Sequence, residues 1–235
     1  MHAGSDEQNM NTESWEEDDL SAPEFSAQRE QMVQRQIIWR DITDVRLLEA
    51  LRQVPRHEFV PERFYPSAYE DSPVPIGFGQ TVSQPYIVAF MLERLQLRGL
   101  ESVLEVGTGS GYQAALLAHL CDEVYSLEII PELAHRAENL LERLGFTNVS
   151  VHCGDGYLGW PAPTYFDRII VSAAPNHVPE RLLEQLAPNG IMILPLGEEE
   201  QRLMIITKDD EGAIMRQESV AVKFVPMTGL IDSVN

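Results

Sequence analysis

An α/β fold, with a mostly parallel central sheet, an antiparallel C-terminal hairpin and N-terminal helices, is what this sequence predicts, on three observations. Between residues 103 and 194, short β-branched runs alternate with stretches of helical periodicity, the pattern of parallel strands joined by crossover helices. After Gly197, two strand-like runs flank the turn-rich Asp209-Asp210-Glu211-Gly212, which predicts a hairpin at the sheet edge. Ahead of residue 96, the periodic apolar stretches are helical.

In residues 30–51, the positions Met32, Val33, Ile37, Ile38, Val45, Leu47, Leu48 and Leu51 recur at roughly helical spacing. A break near Arg40-Asp41-Ile42-Thr43 divides them into two helices. Thr43 or Asp44 caps the second, and Val54-Pro55 ends it. A stretch rich in proline and aromatics follows, from Pro61 to Gly77-Phe78-Gly79, and reads as extended and irregular; a long loop of that kind inside a compact domain is often functional. Residues 85–95 return to helix. Strands then fall at 103–106, 124–127, 149–151, 168–171 and 191–194, with helices at 112–120, 131–144 and 179–186 between them. Residues 202–208 and 214–225 form the two arms of the hairpin.

Charge limits the function classes. The chain has 235 residues and carries 37 acidic against 17 basic side chains, a formal −20 at pH 7. Such a surface repels phosphate backbones and anionic membranes, so neither nucleic acid nor a membrane is an expected partner. No run of about 18 apolar residues suggests a membrane span. Residues 1–30 hold −8 of the excess, lack periodic apolar positions and read as a disordered acidic tail. Cys121 and Cys153 form no C-x-x-C pair and read as free thiols of a reducing, cytoplasmic compartment. The six histidines are scattered, so no metal is expected.

The chemistry concentrates after the first strand of the alternating region, in Glu105-Val106-Gly107-Thr108-Gly109-Ser110-Gly111-Tyr112. Glycines at a strand-to-helix turn let the backbone approach a ligand and expose amides at a helix N-terminus. The spacing departs from the G-x-G-x-x-G of dinucleotide folds, and Glu105 offers a partner for a cationic amino group such as that of S-adenosyl-L-methionine. Glu128 ends the second strand, seventeen residues beyond Gly111, where a carboxylate can accept both hydroxyls of an adenosine ribose. Asp155-Gly156 follows the third, where a carboxylate can receive the adenine amino group. Together these predict a Rossmann-like S-adenosylmethionine-dependent methyltransferase fold. The acceptor side is less specific: Ser83 lies in Gly79-Gln80-Thr81-Val82-Ser83-Gln84-Pro85, where its hydroxyl has the plain alternative of capping the helix that Pro85 opens.

These segments, with Pro75-Ile76-Gly77, Gly154-Asp155-Gly156 and Phe224-Val225-Pro226-Met227-Thr228, closely resemble the protein-L-isoaspartate O-methyltransferase family over residues 31–229. The Thr81-Val82-Ser83-Gln84-Pro85 run is the specific part, because the glycine loop is shared by very many methyltransferases. The resemblance implies methyl transfer from S-adenosylmethionine to the α-carboxylate of L-isoaspartyl residues in damaged proteins and peptides, a repair reaction. It implies Ser83 as the active-site serine, Glu105, Gly107, Gly109, Gly111, Glu128, Asp155 and Gly156 as cofactor contacts, and Thr81 and Thr228 in segments that enclose the site. A single methyltransferase domain then occupies residues 31–235, with substrate-side helices and loop at 31–95, the cofactor core at 96–197 and the hairpin and tail at 198–235. A monomer is expected. The alternatives are a methyltransferase of this fold with another acceptor, or an adenosyl-binding protein without activity. Ser172-Ala173-Ala174-Pro175 lacks the N-P-P-Y type segment of adenine amino methylation.

Overall fold

The structure, a computed structural model, describes residues 23–229. Helix α1 (Pro23–Met32) continues into a π-helical turn, Val33–Ile37, and a 3-10 turn, Ile38–Arg40. The break falls where the sequence predicts it, at Asp41, whose φ of 63° is left-handed. Helix α2 (Val45–Gln53) starts from Asp44, whose carboxylate accepts from the N–H groups of Arg46 and Leu47, so Asp44 rather than Thr43 is the cap. Leu47, Ala50 and Leu51 form its buried face.

Helix α1 begins inside the segment that the sequence assigns to the acidic tail. Phe25 stacks on His57 with ring centres 4.0 Å apart, and Glu30 pairs with Arg52 at 2.9 Å. Phe25, that ion pair and the buried Met32 at its C-terminal end hold a helix whose composition carries no periodic apolar face. The tail's residues 1–22, like residues 230–235, lie outside the described residues.

The stretch expected to be extended and irregular is more ordered than that. It holds two 3-10 turns, Arg56–Phe59 and Glu62–Ser67, and then a hairpin of β1 (Val74–Gly77) and β2 (Gln80–Val82). Gly77, Phe78 and Gly79 at its tip all have positive φ, 95°, 54° and 73°, and two glycines carry most of that strain. Helix α3 (Pro85–Arg94) leads from the hairpin to the main sheet.

The alternating region follows the predicted order: β3 (Ser102–Val106), α4 (Tyr112–Ala118), β4 (Glu123–Glu128), α5 (Pro131–Arg143), β5 (Val149–Cys153), β6 (Phe166–Val171), α6 (Glu180–Gln185), β7 (Leu186–Leu196), β8 (Gln201–Lys208) and β9 (Ile214–Val222). The seven strands lie in the order β5-β4-β3-β6-β7-β8-β9, parallel from β5 to β7, with β8 and β9 antiparallel. Strand β7 is longer than residues 191–194 because the chain enters the sheet directly from α6, pairing Leu186 with Phe166 and, after a bulge, Ile191 with Arg168.

Side chains that alternate along each strand fill two cores. Val103, Ile170 and Ile193 pack with the first five helices. Leu104, Ile169, Val171, Met192 and Leu194 pack instead with Leu182 of α6, Tyr157 and Met227. After β3 the chain winds outward through β4 and β5, then returns to β6 on the opposite side. This reversal of winding opens a crevice at the C-terminal ends of β3 and β6. Among the described residues, no helix is long and apolar enough to cross a membrane.

Candidate active site

A cavity of about 500 Å³ occupies that crevice, a size suited to a nucleoside-bearing ligand. Its wall is assembled from residues 80–84 ahead of α3, 106–110 after β3, 127–130 after β4, and 221–228 at the C-terminal end. The last of these is pinned across the opening: Met227 donates its N–H to Ala174 O and Ala174 donates to Val225 O, each at 2.8 Å.

The cofactor half is built around carboxylates. Glu128, 5% exposed, accepts from Gly109 N at 2.8 Å and Ile130 N at 3.0 Å, which fixes both oxygens at the cavity wall with lone pairs still open. Glu105 has no exposure and does not line the cavity. Its Oε1 accepts from Gln113 Nε2 at 3.0 Å, and its Oε2 from Ser126 Oγ at 2.5 Å. Gln113 also donates to Ser172 Oγ, and Ser126 is hydrogen-bonded to Thr108 Oγ1. Gln113, Ser172 and Thr108 do line the cavity, so Glu105 reaches it through them. Burial pushes the Glu105 carboxyl up to about 7, assisted by the Glu128 charge and opposed by the bonds from Ser126 and Gln113.

The glycines serve geometry. Gly107, Gly109 and Gly111 have φ of 95°, 55° and 90°, and a Cβ on Gly107 would touch Ser172 at 3.4 Å. Their amides are not left for a ligand, as the sequence suggests: Gly107 and Thr108 donate to Leu127 O, Gly109 to Glu128 and Gly111 to Thr108 O. Gly107 and Gly109 line the cavity. Gly111 stands behind it at the start of α4, where a Cβ would press on Leu141 of α5 at 3.3 Å. Gly156 lines the cavity and is packed too closely on β3 and the C-terminal segment for any side chain, since a Cβ there would lie 2.3 Å from Val106 Cγ1 and 2.8 Å from Met227 Cε. Asp155 stands outside the lining, its carboxylate accepting from Tyr157 N at 2.9 Å and packed against Gly229.

On the acceptor side, Thr81, Ser83 and Thr228 all face this cavity. The capping alternative for Ser83 does not hold: Gln84 is the N-cap of α3, and no side chain caps that helix. Ser83 is instead held by its backbone, with its carbonyl accepting from Arg56 Nη2 at 2.8 Å. Gln113, Ser172 and Lys223 also line the cavity and Arg56 stands behind Ser83, and the sequence pointed to none of the four. The first two were accessible from position, one in the first turn after the glycine loop and one directly after a strand. Lys223 is 140 residues from Ser83, and nothing local marks it as part of the same wall.

A doubly wound sheet, a glycine turn at the end of its central strand and a buried acid at the end of the next define an S-adenosylmethionine-dependent methyltransferase. The model of one family, protein-L-isoaspartate(D-aspartate) O-methyltransferase, matches residues 27–232. A Shewanella sediminis protein-L-isoaspartate O-methyltransferase is 52% identical over 203 residues, 86% of this chain and 83% of its own. One from Myxococcus xanthus is 55% identical over 192 residues, 80% and 91% of the two chains. Among solved structures, a Plasmodium falciparum protein described as a protein-L-isoaspartate O-methyltransferase, in complex with S-adenosyl-L-homocysteine, superposes with a TM-score of 0.74 at 27% identity, covering 87% of this chain and 98% of that one. The chain belongs to the protein-L-isoaspartate(D-aspartate) O-methyltransferase family.

Proposed function

We infer that this chain transfers a methyl group from S-adenosyl-L-methionine to the α-carboxylate of L-isoaspartyl residues in damaged proteins and peptides. The observation that carries this reading is Ser83, whose side chain caps no helix and which lines the same cavity as Glu128 and the glycine loop. The cavity's chemistry suits the methyl donor. Glu128 presents two fixed acceptor oxygens to a ribose, and Gly107 and Gly156, both in the cavity wall, bring the backbone to it without side chains of their own. When bound, the donor supplies an already activated methyl group.

The chain's own residues then have three tasks. Glu128 and residues 127–130 hold the adenosine portion, and Glu105 aligns Gln113, Ser172 and Thr108 around the remainder. Ser83, with Thr81 beside it, donates to the acceptor carboxylate and directs one oxygen at the methyl. Thr228 and the pinned C-terminal segment exclude water. A peptide α-carboxylate has a pKa of roughly 3.5, so it arrives ionised and needs no general base. That agrees with a wall whose charged residues are Glu128 and Lys223.

The same reading treats residues 31–235 as one domain, supported within the described part by two cores that share one sheet. It has the enzyme act as a monomer in the cytoplasm, where Cys121 and Cys153, both free, remain reduced. Labelled methyl transfer to a peptide containing L-isoaspartate, with its L-aspartyl twin as control, is the test. Label on the first alone is expected; equal labelling, or none, refutes the substrate.

A further inference from the structure

Behind Ser83 lies a cation that the chemistry above does not use. Arg56 has no solvent exposure. Its Nε donates to Ala68 O and its Nη2 to Ser83 O, both at 2.8 Å. Its guanidinium carbon lies 4.8 Å from the centre of the Tyr112 ring, and Tyr112 opens α4 directly after the glycine loop and lines the cavity. Nη1 and the Tyr112 hydroxyl are both buried. They attract one another, and their interaction favours the charged Arg56, yet neither atom has a partner at ordinary hydrogen-bond geometry among the described residues.

These contacts go to carbonyls and a ring, not to a carboxylate. The facing acid is Asp71: its charge attracts Arg56, but its Oδ2 is taken by Arg40 at 2.5 Å, and its buried Oδ1 makes no hydrogen bond among the described residues, to Arg56 or to any other group; Tyr69, the other polar neighbour, is faced by a further cation, Arg29. A buried charge is ordinarily matched by a counter-ion, and a guanidinium does not shed its proton to escape the cost. The reacting group of the substrate is itself an anion, and the reading above gives it to Ser83, whose carbonyl Arg56 holds.

We propose that Arg56 is the positioning residue of the acceptor site. It fixes the Ser83 carbonyl so that the hydroxyl faces the cavity, and its charge behind the wall favours an anionic acceptor over a neutral one. A charge in the low-dielectric interior is felt at longer range than one in water and is little screened by salt. That is how a chain of formal charge −20 can hold a carboxylate. The inference rests on Ser83 holding that carboxylate.

The test is competition between an isoaspartyl peptide and its α-carboxamide twin, in the presence of S-adenosyl-L-homocysteine. Arg56→Met should lower the preference for the carboxylate tenfold or more, at low and high salt alike, with the affinity for S-adenosyl-L-homocysteine within about twofold. Arg56→Lys keeps the charge and loses the fork. It should preserve most of the preference while turnover falls, and it stands alone as the test if Arg56→Met does not fold. Equal weakening of both peptides by Arg56→Met, or loss of the preference in Arg56→Lys, overturns the proposal. So does a preference abolished by Lys223→Met and by salt, which would assign it to the exposed lysine. Ser83→Ala with undiminished turnover would instead refute the Ser83 reading, a separate result.

Discussion

Two fully buried ionisable side chains support the two halves of the site, Glu105 under the cofactor wall and Arg56 behind the acceptor loop, and they are housed in opposite ways. Glu105 sits on a central strand, where β4 and α4 bring Ser126 and Gln113 to its two oxygens, and it can also relieve its burial by taking up a proton near neutral pH. Arg56 sits on a 3-10 turn among irregular segments, which offer it backbone carbonyls and leave Nη1 without a hydrogen bond among the described residues. Regular structure supplies side-chain partners at fixed spacing; irregular structure supplies carbonyls. The cofactor half is thus a neutralisable network, and the acceptor half is built on a permanent charge.

The largest effect expected separates the halves by pH. The folded protein holds the Glu105 proton up to about pH 7, whereas the unfolded chain releases it near 4.5. Between these values the folded state binds more protons, so this group's contribution makes stability fall as pH rises through the window and level off above it. The difference is on the order of 3 kcal/mol. His57, held down to about 4 by burial and by Arg29, works in the opposite sense over 4 to 6.5, so the comparison must be made against a variant. Denaturant unfolding of Glu105→Gln should lack the Glu105 contribution while retaining that of His57. Parallel pH profiles for the two proteins would show that Glu105 is not buried as a shared-proton hub.

Next comes Ser83→Ala, expected to reduce turnover by about ten- to a hundredfold, the value of a hydrogen bond to a charged group, with S-adenosyl-L-homocysteine binding by calorimetry nearly unchanged. Equal loss in both would erase the division between the halves. Starting the chain at Gln31 removes Phe25 from His57 and Glu30 from Arg52, contacts on the acceptor side. A loss of about 2 kcal/mol in unfolding free energy is expected, with methyl transfer retained at 25 °C. Smallest is the influence of the surface: isoaspartyl peptides flanked by Asp and Glu should be methylated a few-fold more slowly than neutral ones, and 0.5 M salt should remove the difference. A bias that survives salt would place its origin inside the site.

Sequence legibility differed between the halves for the same reason. Strands β3 to β7, their crossover helices, the glycine turn and Glu128 are local patterns, written in contiguous residues, and they stand where the periodicity predicts. Helix α1 was hidden because its place depends on Phe25 meeting His57, a contact between distant segments. The β1–β2 hairpin was hidden because three positive φ values in a row resemble a loop until its two arms pair.

By itself, then, the sequence determined the α/β order, the glycine turn after β3, the Thr81-Val82-Ser83-Gln84-Pro85 segment that carries the family resemblance, and the acidity of the chain. Each depends on neighbours in the chain or on composition alone. The tertiary structure decided which acids face the cavity, Glu128 rather than Glu105 or Asp155, and that the Ser83 hydroxyl is free of the helix cap. It also brought Lys223 to the wall and Arg56 behind it. Burial and hydrogen-bond partners at long separation depend on how elements pack, and no window of the sequence contains both members of such a pair.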